Sequence, residues 1–243
     1  MPDLLKKKVG IVSCSGEELP EGTVSRLAAL KVLEQLRPAD TVTICLPLFL
    51  AGGEGDRAFA KFYPTIAIDG CDKRCAARGT EMYSGKPAAS IVVTELMAER
   101  GLGKPEGKRR LNDVGQQAVD ATAGEVALLV DELLHKHWSR TAGAVEENAV
   151  AEVQEPVQAT CSCGSGIPVQ KVDINGQTVT LIALPLIFQQ LRDSSKPTSP
   201  DTTRELLETV KVYNPIPPGE DEIYAASLAR EYAVFCEQQG AVK

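Results

Sequence analysis

The chain has 243 residues, of which 43% are hydrophobic and 24% are charged, and its formal net charge is −7. This composition is that of a globular protein, and it excludes both an intrinsically disordered chain and a membrane-spanning one. The excess negative charge also disfavours nucleic acid and anionic lipid as partners.

Short apolar runs alternate with helical patterns over the first part of the chain. They predict strands at residues 8–13, 41–46, 65–68 and 89–94, a crossover helix over residues 23–36 and a short helix over residues 56–62. Strands that alternate with helices form parallel sheets with right-handed crossovers. The predicted fold class is therefore α/β, with a small doubly wound, Rossmann-like parallel sheet.

The pattern changes beyond residue 103. A long helix is predicted over residues 112–138, and residues 141–160 have the composition of a linker. Asn175-Gly176 lies between two alternating apolar runs, which indicates a β-hairpin. Two further helices are predicted, one after residues 199–201 and one after residues 217–219.

These patterns predict three parts of the chain. Residues 1–103 would form an α/β metal-binding domain, and residues 104–160 a helical segment and linker. Residues 161–243 would form a smaller α+β domain with a hairpin and C-terminal helices.

The seven cysteines bear most directly on function. The apolar run at residues 9–12 is too short for the core of a secretory signal, so we expect a cytoplasmic protein whose thiols stay reduced. In that compartment, cysteines at scattered spacings indicate metal binding or redox chemistry rather than structural disulfides.

Four of the cysteines are predicted to meet at one edge of the sheet. Cys14, Cys45 and Cys71 lie at or just after the ends of the first three predicted strands. The carboxyl ends of parallel strands share one edge, and a strand order of 2-1-3 would bring these thiols together. Cys75 follows Cys71 by about one helical turn. Because zinc takes four thiolates in tetrahedral geometry, Cys14, Cys45, Cys71 and Cys75 are the predicted zinc ligands.

The segments around these cysteines resemble the DGC-domain family. The resemblance rests on Ser13-Cys14-Ser15-Gly16, on Cys45-Leu46-Pro47 and on Asp69-Gly70-Cys71 with Cys75, and it covers residues 8–100. The family is described as zinc-binding on the strength of its cysteines. The resemblance therefore implies the metal site and implies no particular reaction.

The sequence alone leaves several alternatives open. The same thiolates would suit an iron–sulfur cluster equally well, so the sequence does not choose the metal. The chain could instead be a thiol–disulfide oxidoreductase in which Cys71 or Cys14 attacks and a second cysteine resolves the mixed disulfide. A third alternative is an adaptor whose metal only stabilises the fold. The simplest alternative is that these cysteines are buried apolar residues at strand ends.

The remaining cysteines and the histidines give weaker signals. Cys161 and Cys163 flank one serine in a Gly-rich stretch, which suits either a second thiol site or an incidental pair. As a second site, the pair would pass a metal or sulfur species to or from a protein partner. Cys236 is predicted to pack in a helical core, and His135 and His137 are predicted to lie at a helix end without a metal role.

Overall fold

The computed structural model describes residues 7–14, 16, 18–140, 142–146 and 167–240. Contacts divide the chain into two compact units, Lys7–Gly166 and a second unit that includes Ile167–Lys243. Within the described ranges, no helix is both long enough and apolar enough to cross a bilayer.

A four-stranded parallel sheet forms the centre of the first unit. Its strands are β1 (Val9–Ser13), β2 (Thr41–Thr43), β3 (Thr65–Asp69) and β4 (Ala89–Val92), in the order β2-β1-β3-β4. Every residue of β3 is buried, as expected of a parallel strand covered on both faces. The structure confirms the α/β class, and it confirms the order of strands that would bring the cysteines together.

Helices cover both faces of this sheet. They are α1 (Pro20–Lys31), which continues as a π-helical segment (Val32–Leu36), α2 (Leu48–Ala51), α3 (Glu54–Arg57), α4 (Phe59–Phe62), α5 (Cys75–Tyr83), α6 (Val93–Glu99) and α7 (Asp113–His135). One core cluster joins Ile11 of the sheet to Val24 of α1 and Val126 of α7. A second cluster joins Val12 to Phe49 and Phe59. The long helix α7 thus packs with the sheet, while the domain boundaries at residues 103 and 160 stay predictions.

The predicted ends of the second and fourth strands are wrong. The second strand ends at Thr43 rather than at residue 46, because the chain turns at Pro47 and the N–H of Leu48 donates to the carbonyl oxygen of Cys45 at 2.9 Å. The fourth strand gives way to α6 at Val93, two residues earlier than predicted.

The long helix also ends earlier than predicted. The backbone becomes extended at Lys136, and residue 138 lies in strand β5 (His137–Ser139), which pairs antiparallel with β6 (Ala144–Glu146). The Nε1–H of Trp138 donates to the carbonyl oxygen of Lys61 at 2.8 Å, so this side chain is held by α4 rather than by α7.

The second unit is a hairpin packed with three helices. Its elements are β7 (Val169–Ile174), β8 (Gln177–Ile182), α8 (Leu184–Asp193), α9 (Pro200–Tyr213) and α10 (Asp221–Gly240). Asn175 and Gly176 both have positive φ, 52° and 81°, which confirms the predicted tight turn. The last two helices are also confirmed, whereas α8 was not predicted. Cys236 packs against the core of this unit, as predicted.

Tyr232 gives this unit a testable dependence on pH. Its side chain is 1% exposed, and its hydroxyl donates to the carbonyl oxygen of Lys196 at 2.9 Å. Burial, together with a hydrogen bond to Cys236, raises the pKa of Tyr232 from 10.0 to about 12. The folded protein therefore keeps this proton at a pH where the unfolded chain has lost it, and stability should fall as the pH rises from 10.0 to about 12.

We expect the Tyr232→Phe variant to be less stable than the unmodified protein by about 1 kcal/mol at neutral pH, because it lacks the hydrogen bond. The difference in the free energy of unfolding between the two proteins should shrink as the pH rises through the range of tyrosine ionisation, because phenylalanine does not titrate. Urea unfolding of both proteins at a series of pH values measures this difference. A constant difference across the series would contradict the assignment.

Candidate metal site

Three strand ends bring three cysteines to the carboxyl edge of the sheet. Cys14 directly follows β1, Cys45 lies two residues beyond β2, and Cys71 lies two residues beyond β3. Because β1 pairs in parallel with β2 on one side and β3 on the other, the three segments leave the sheet side by side. Cys75 is the first residue of α5.

Cys14 is held in place through its backbone. Its N–H donates to the carbonyl oxygen of Ile68 at 2.8 Å, and its own carbonyl oxygen accepts a hydrogen bond from Ser25 Oγ at 2.8 Å. The side chain is half-buried against the apolar cluster on that face of the sheet. Burial raises the pKa of the Cys14 thiol, and backbone hydrogen bonds from Gly16 and Gly70 act in the opposite direction.

Three glycines allow the surrounding segments to pack closely. A Cβ on Gly22, in the first turn of α1, would lie 2.3 Å from the carbonyl oxygen of Gly16 and 2.5 Å from its Cα. A Cβ on Gly70 would lie 2.7 Å from the backbone nitrogen of Gly22. The Cys14 loop, the start of α1 and the Asp69-Gly70-Cys71 segment are therefore in direct backbone contact.

The start of α5 is fixed by Asp69, the last residue of β3. Asp69 Oδ1 accepts the N–H of Ala76 at 2.7 Å, and Oδ2 accepts the N–H of Ala77 at 3.0 Å. Burial raises the pKa of Asp69, and these two N–H groups together with Arg74 act in the opposite direction. Cys75 is thereby positioned directly beside β3.

Cys75 acts on the Cys14 thiol through its charge. Repulsion by a charge on Cys75 raises the pKa of Cys14, an effect smaller than that of burial. Cys45 and Cys75 are exposed, Cys14 and Cys71 are partly buried, and all four are free thiols.

The donor chemistry of these residues fits a thiophilic metal such as zinc. Their positions do not yet form a closed site: in the described ranges, no three histidine, cysteine, aspartate or glutamate side chains are arranged to hold one metal ion. Four-thiolate coordination would require the side chains of Cys45, Cys71 and Cys75 to turn toward Cys14. The exposure of Cys45 and Cys75 leaves room for such a movement.

The other candidate residues are the remaining cysteines and the two histidines. Cys161 and Cys163 lie outside the described residues. His135 is the last residue of α7 and His137 is the first residue of β5, so the pair straddles the end of the helix. Cys236 belongs to the second compact unit.

Comparison with known families bears on the segment that contains the four cysteines. The family model of the DGC domain matches residues 10–122. This segment is similar to the DGC-domain family. The match includes all four cysteines and confirms the resemblance drawn from the sequence. No curated protein and no solved structure matches the chain.

Two features of this segment were not anticipated from the sequence. The role of Gly22 depends on its contacts with residues 16 and 70, and its place just before the predicted helix at residues 23–36 gave no sign of them. The capping role of Asp69 was missed because its partners, Ala76 and Ala77, belong to a helix that follows after a loop. An aspartate directly after the apolar run at residues 65–68 was the one available signal.

Proposed function

We propose that the segment similar to the DGC-domain family binds a zinc ion through the thiolates of Cys14, Cys45, Cys71 and Cys75. The observation that carries this proposal is the strand order β2-β1-β3, which brings three cysteine-bearing strand ends to one edge of the sheet. Cys75 joins them from the first turn of α5. Such a set of thiolates is the ligand combination of structural zinc sites.

The charges around the site favour thiolate ligands. A zinc ion with four thiolates carries about two excess negative charges. Lys73, Arg74 and Arg78 lie in and beside the loop between Cys71 and Cys75, and all three are exposed. Their positive charges offset the excess negative charge, although the chain as a whole has a net charge of −7.

Metal binding includes a local closure of the site. Cys14 is anchored by its backbone hydrogen bonds, so it serves as the fixed ligand. The exposed side chains of Cys45 and Cys75, and the partly buried side chain of Cys71, turn toward it. Because zinc binds thiolates and Cys14 has a raised pKa, binding displaces a proton from Cys14.

The site also has a proposed biological setting. Free thiols persist in the cytoplasm, where we place the protein. Cys161 and Cys163 form a second thiol pair that exchanges a metal or sulfur species with this site or with a protein partner. The proposed function involves no nucleic acid and no membrane as a partner.

The second candidate function is thiol–disulfide exchange, for which Cys14 and Cys75 offer two free thiols. The Cys14 thiolate would attack a substrate disulfide, forming a mixed disulfide and releasing one substrate thiolate. Cys75 would then attack the Cys14 sulfur, forming a Cys14–Cys75 disulfide and releasing the second substrate thiolate. The substrate disulfide is thereby reduced, and an external dithiol would restore the two protein thiols.

Elemental analysis of anaerobically purified protein tests the proposal. We expect about one zinc ion per chain that is retained through gel filtration. Iron with acid-labile sulfide would instead indicate a cluster on the same cysteines. Metal-free protein that cannot be loaded with zinc, but turns over a disulfide with a dithiol, would replace the proposal by the second function.

A further inference from the structure

Asp69 takes the place of the missing helix cap of α5. The residue before this helix, Arg74, makes no side-chain capping hydrogen bond. The first N–H groups of a helix have no partner within the helix, and leaving them unpaired is costly. Asp69, at the end of β3, accepts the N–H groups of Ala76 and Ala77, and it is 1% exposed. Its carboxylate therefore joins the sheet edge to the helix that begins with Cys75.

The loop between the two elements is a sharp turn. The N–H of Arg74 donates to the carbonyl oxygen of Cys71 at 3.1 Å, and Arg74 has φ 54° and ψ 46°. This left-handed conformation is unfavourable for a residue with a side chain. The two capping bonds of Asp69 help to maintain this turn, because they hold the helix that follows it.

We propose that Asp69 is a positioning residue of the metal site, whose carboxylate fixes the turn and the start of α5 so that Cys71 and Cys75 reach the same ion. The inference rests on the proposed function. Cys75 immediately precedes Ala76, whose N–H is bound by Asp69. Cys71 is two residues beyond Asp69 on the other side of the turn. One side chain thus controls the spacing of two ligands.

The Asp69→Asn variant tests this role, because asparagine keeps the shape and places a donor opposite one of the two helix N–H groups. We expect zinc affinity to fall about 10- to 100-fold, as for other residues that orient metal ligands. The cobalt-loaded variant should also lose part of its thiolate-to-metal charge-transfer absorption, which reports how many thiolates bind. The Asp69→Glu variant, which keeps both acceptor oxygens, should recover part of that absorption.

The matched control is Asn112→Ala. Asn112 caps α7 by accepting the N–H of Gly115 at 2.8 Å, so its loss removes a cap in the same compact unit from a helix without cysteines. The control should lower stability and leave the cobalt spectrum unchanged. If Asp69→Asn binds zinc as tightly as the unmodified protein while Cys71→Ser does not, the role of Asp69 is overturned and the metal site stands. If Cys71→Ser and Cys75→Ser both bind zinc normally, the metal site itself fails.

A measurement on the unmodified protein covers the case in which Asp69→Asn does not fold. Zinc would bind Cys75, and Asp69 caps the N–H groups of Ala76 and Ala77, so both interactions hold the first turn of α5. Zinc should therefore slow amide hydrogen exchange at Ala76 and Ala77. Exchange at Gly115, in the first turn of α7, should change much less. Equal exchange at Ala76 and Ala77 in metal-free protein and in protein that elemental analysis shows to hold zinc would overturn the role of Asp69, whereas protein that binds no zinc would overturn the proposed function.

Discussion

Replacing Cys71 by serine is expected to weaken zinc binding by at least about 100-fold, since loss of a ligand should exceed the effect of losing a residue that merely orients one. Cys71 leaves the sheet beside Cys14, because β3 pairs directly with β1. Serine retains the size of the side chain but offers a hydroxyl, which stays protonated and binds zinc poorly. Competition with a chromophoric chelator under anaerobic conditions measures the change.

The Cys236→Ser variant is the control for this experiment. Cys236 is also a free thiol, but it packs against the core of the second compact unit. Zinc affinity should be unchanged in this variant. Equal affinities for Cys71→Ser and the unmodified protein would remove Cys71 from the ligand set.

Replacing Gly22 by alanine is expected to destabilise the first compact unit by about 1–3 kcal/mol, the usual cost of overpacking. The added Cβ would lie 2.3 Å from the carbonyl oxygen of Gly16, and backbone atoms cannot rotate away as a flexible side chain could. Relief would require α1 to separate from the Cys14 loop. The free energy of unfolding in urea, followed by circular dichroism, measures the loss.

Gly124→Ala provides a matched comparison. Gly124 is exposed on α7, and a Cβ there would meet no atom within 4 Å. Alanine is more favourable than glycine inside a helix, so this variant should gain about 0.5–1 kcal/mol. Similar effects for the two substitutions would show that the close approach of Gly22 to Gly16 does not contribute to stability.

The main elements of the sheet were predictable because parallel strands and crossover helices leave strong local patterns. The apolar run at residues 8–13 contains β1. In the second unit, Asn175-Gly176 correctly indicated the hairpin of β7 and β8. The end of a helix was predicted wrongly where a contact with a residue distant in sequence determined it. Trp138 continued the apolar pattern of α7, yet its indole N–H is bound by the carbonyl oxygen of Lys61.

The candidate site was predictable at the level of the backbone and no further. The positions of Cys14 and Cys71 after neighbouring strands followed from the alternation of strands and helices. The placement of the Cys14 loop against α1 depends on close packing of Gly16, Gly22 and Gly70, which single-sequence patterns do not encode. The second thiol pair, Cys161 and Cys163, lies outside the described residues and stays a prediction.

X-ray absorption at the zinc edge of the purified, zinc-loaded protein tests the central claim most directly, because it counts the atoms bound to the metal. We predict a first shell of four sulfur atoms at about 2.3 Å. Serine at Cys14, Cys45, Cys71 or Cys75 should remove sulfur from that shell. A first shell of nitrogen and oxygen atoms in the unmodified protein would contradict a site built from these four thiolates.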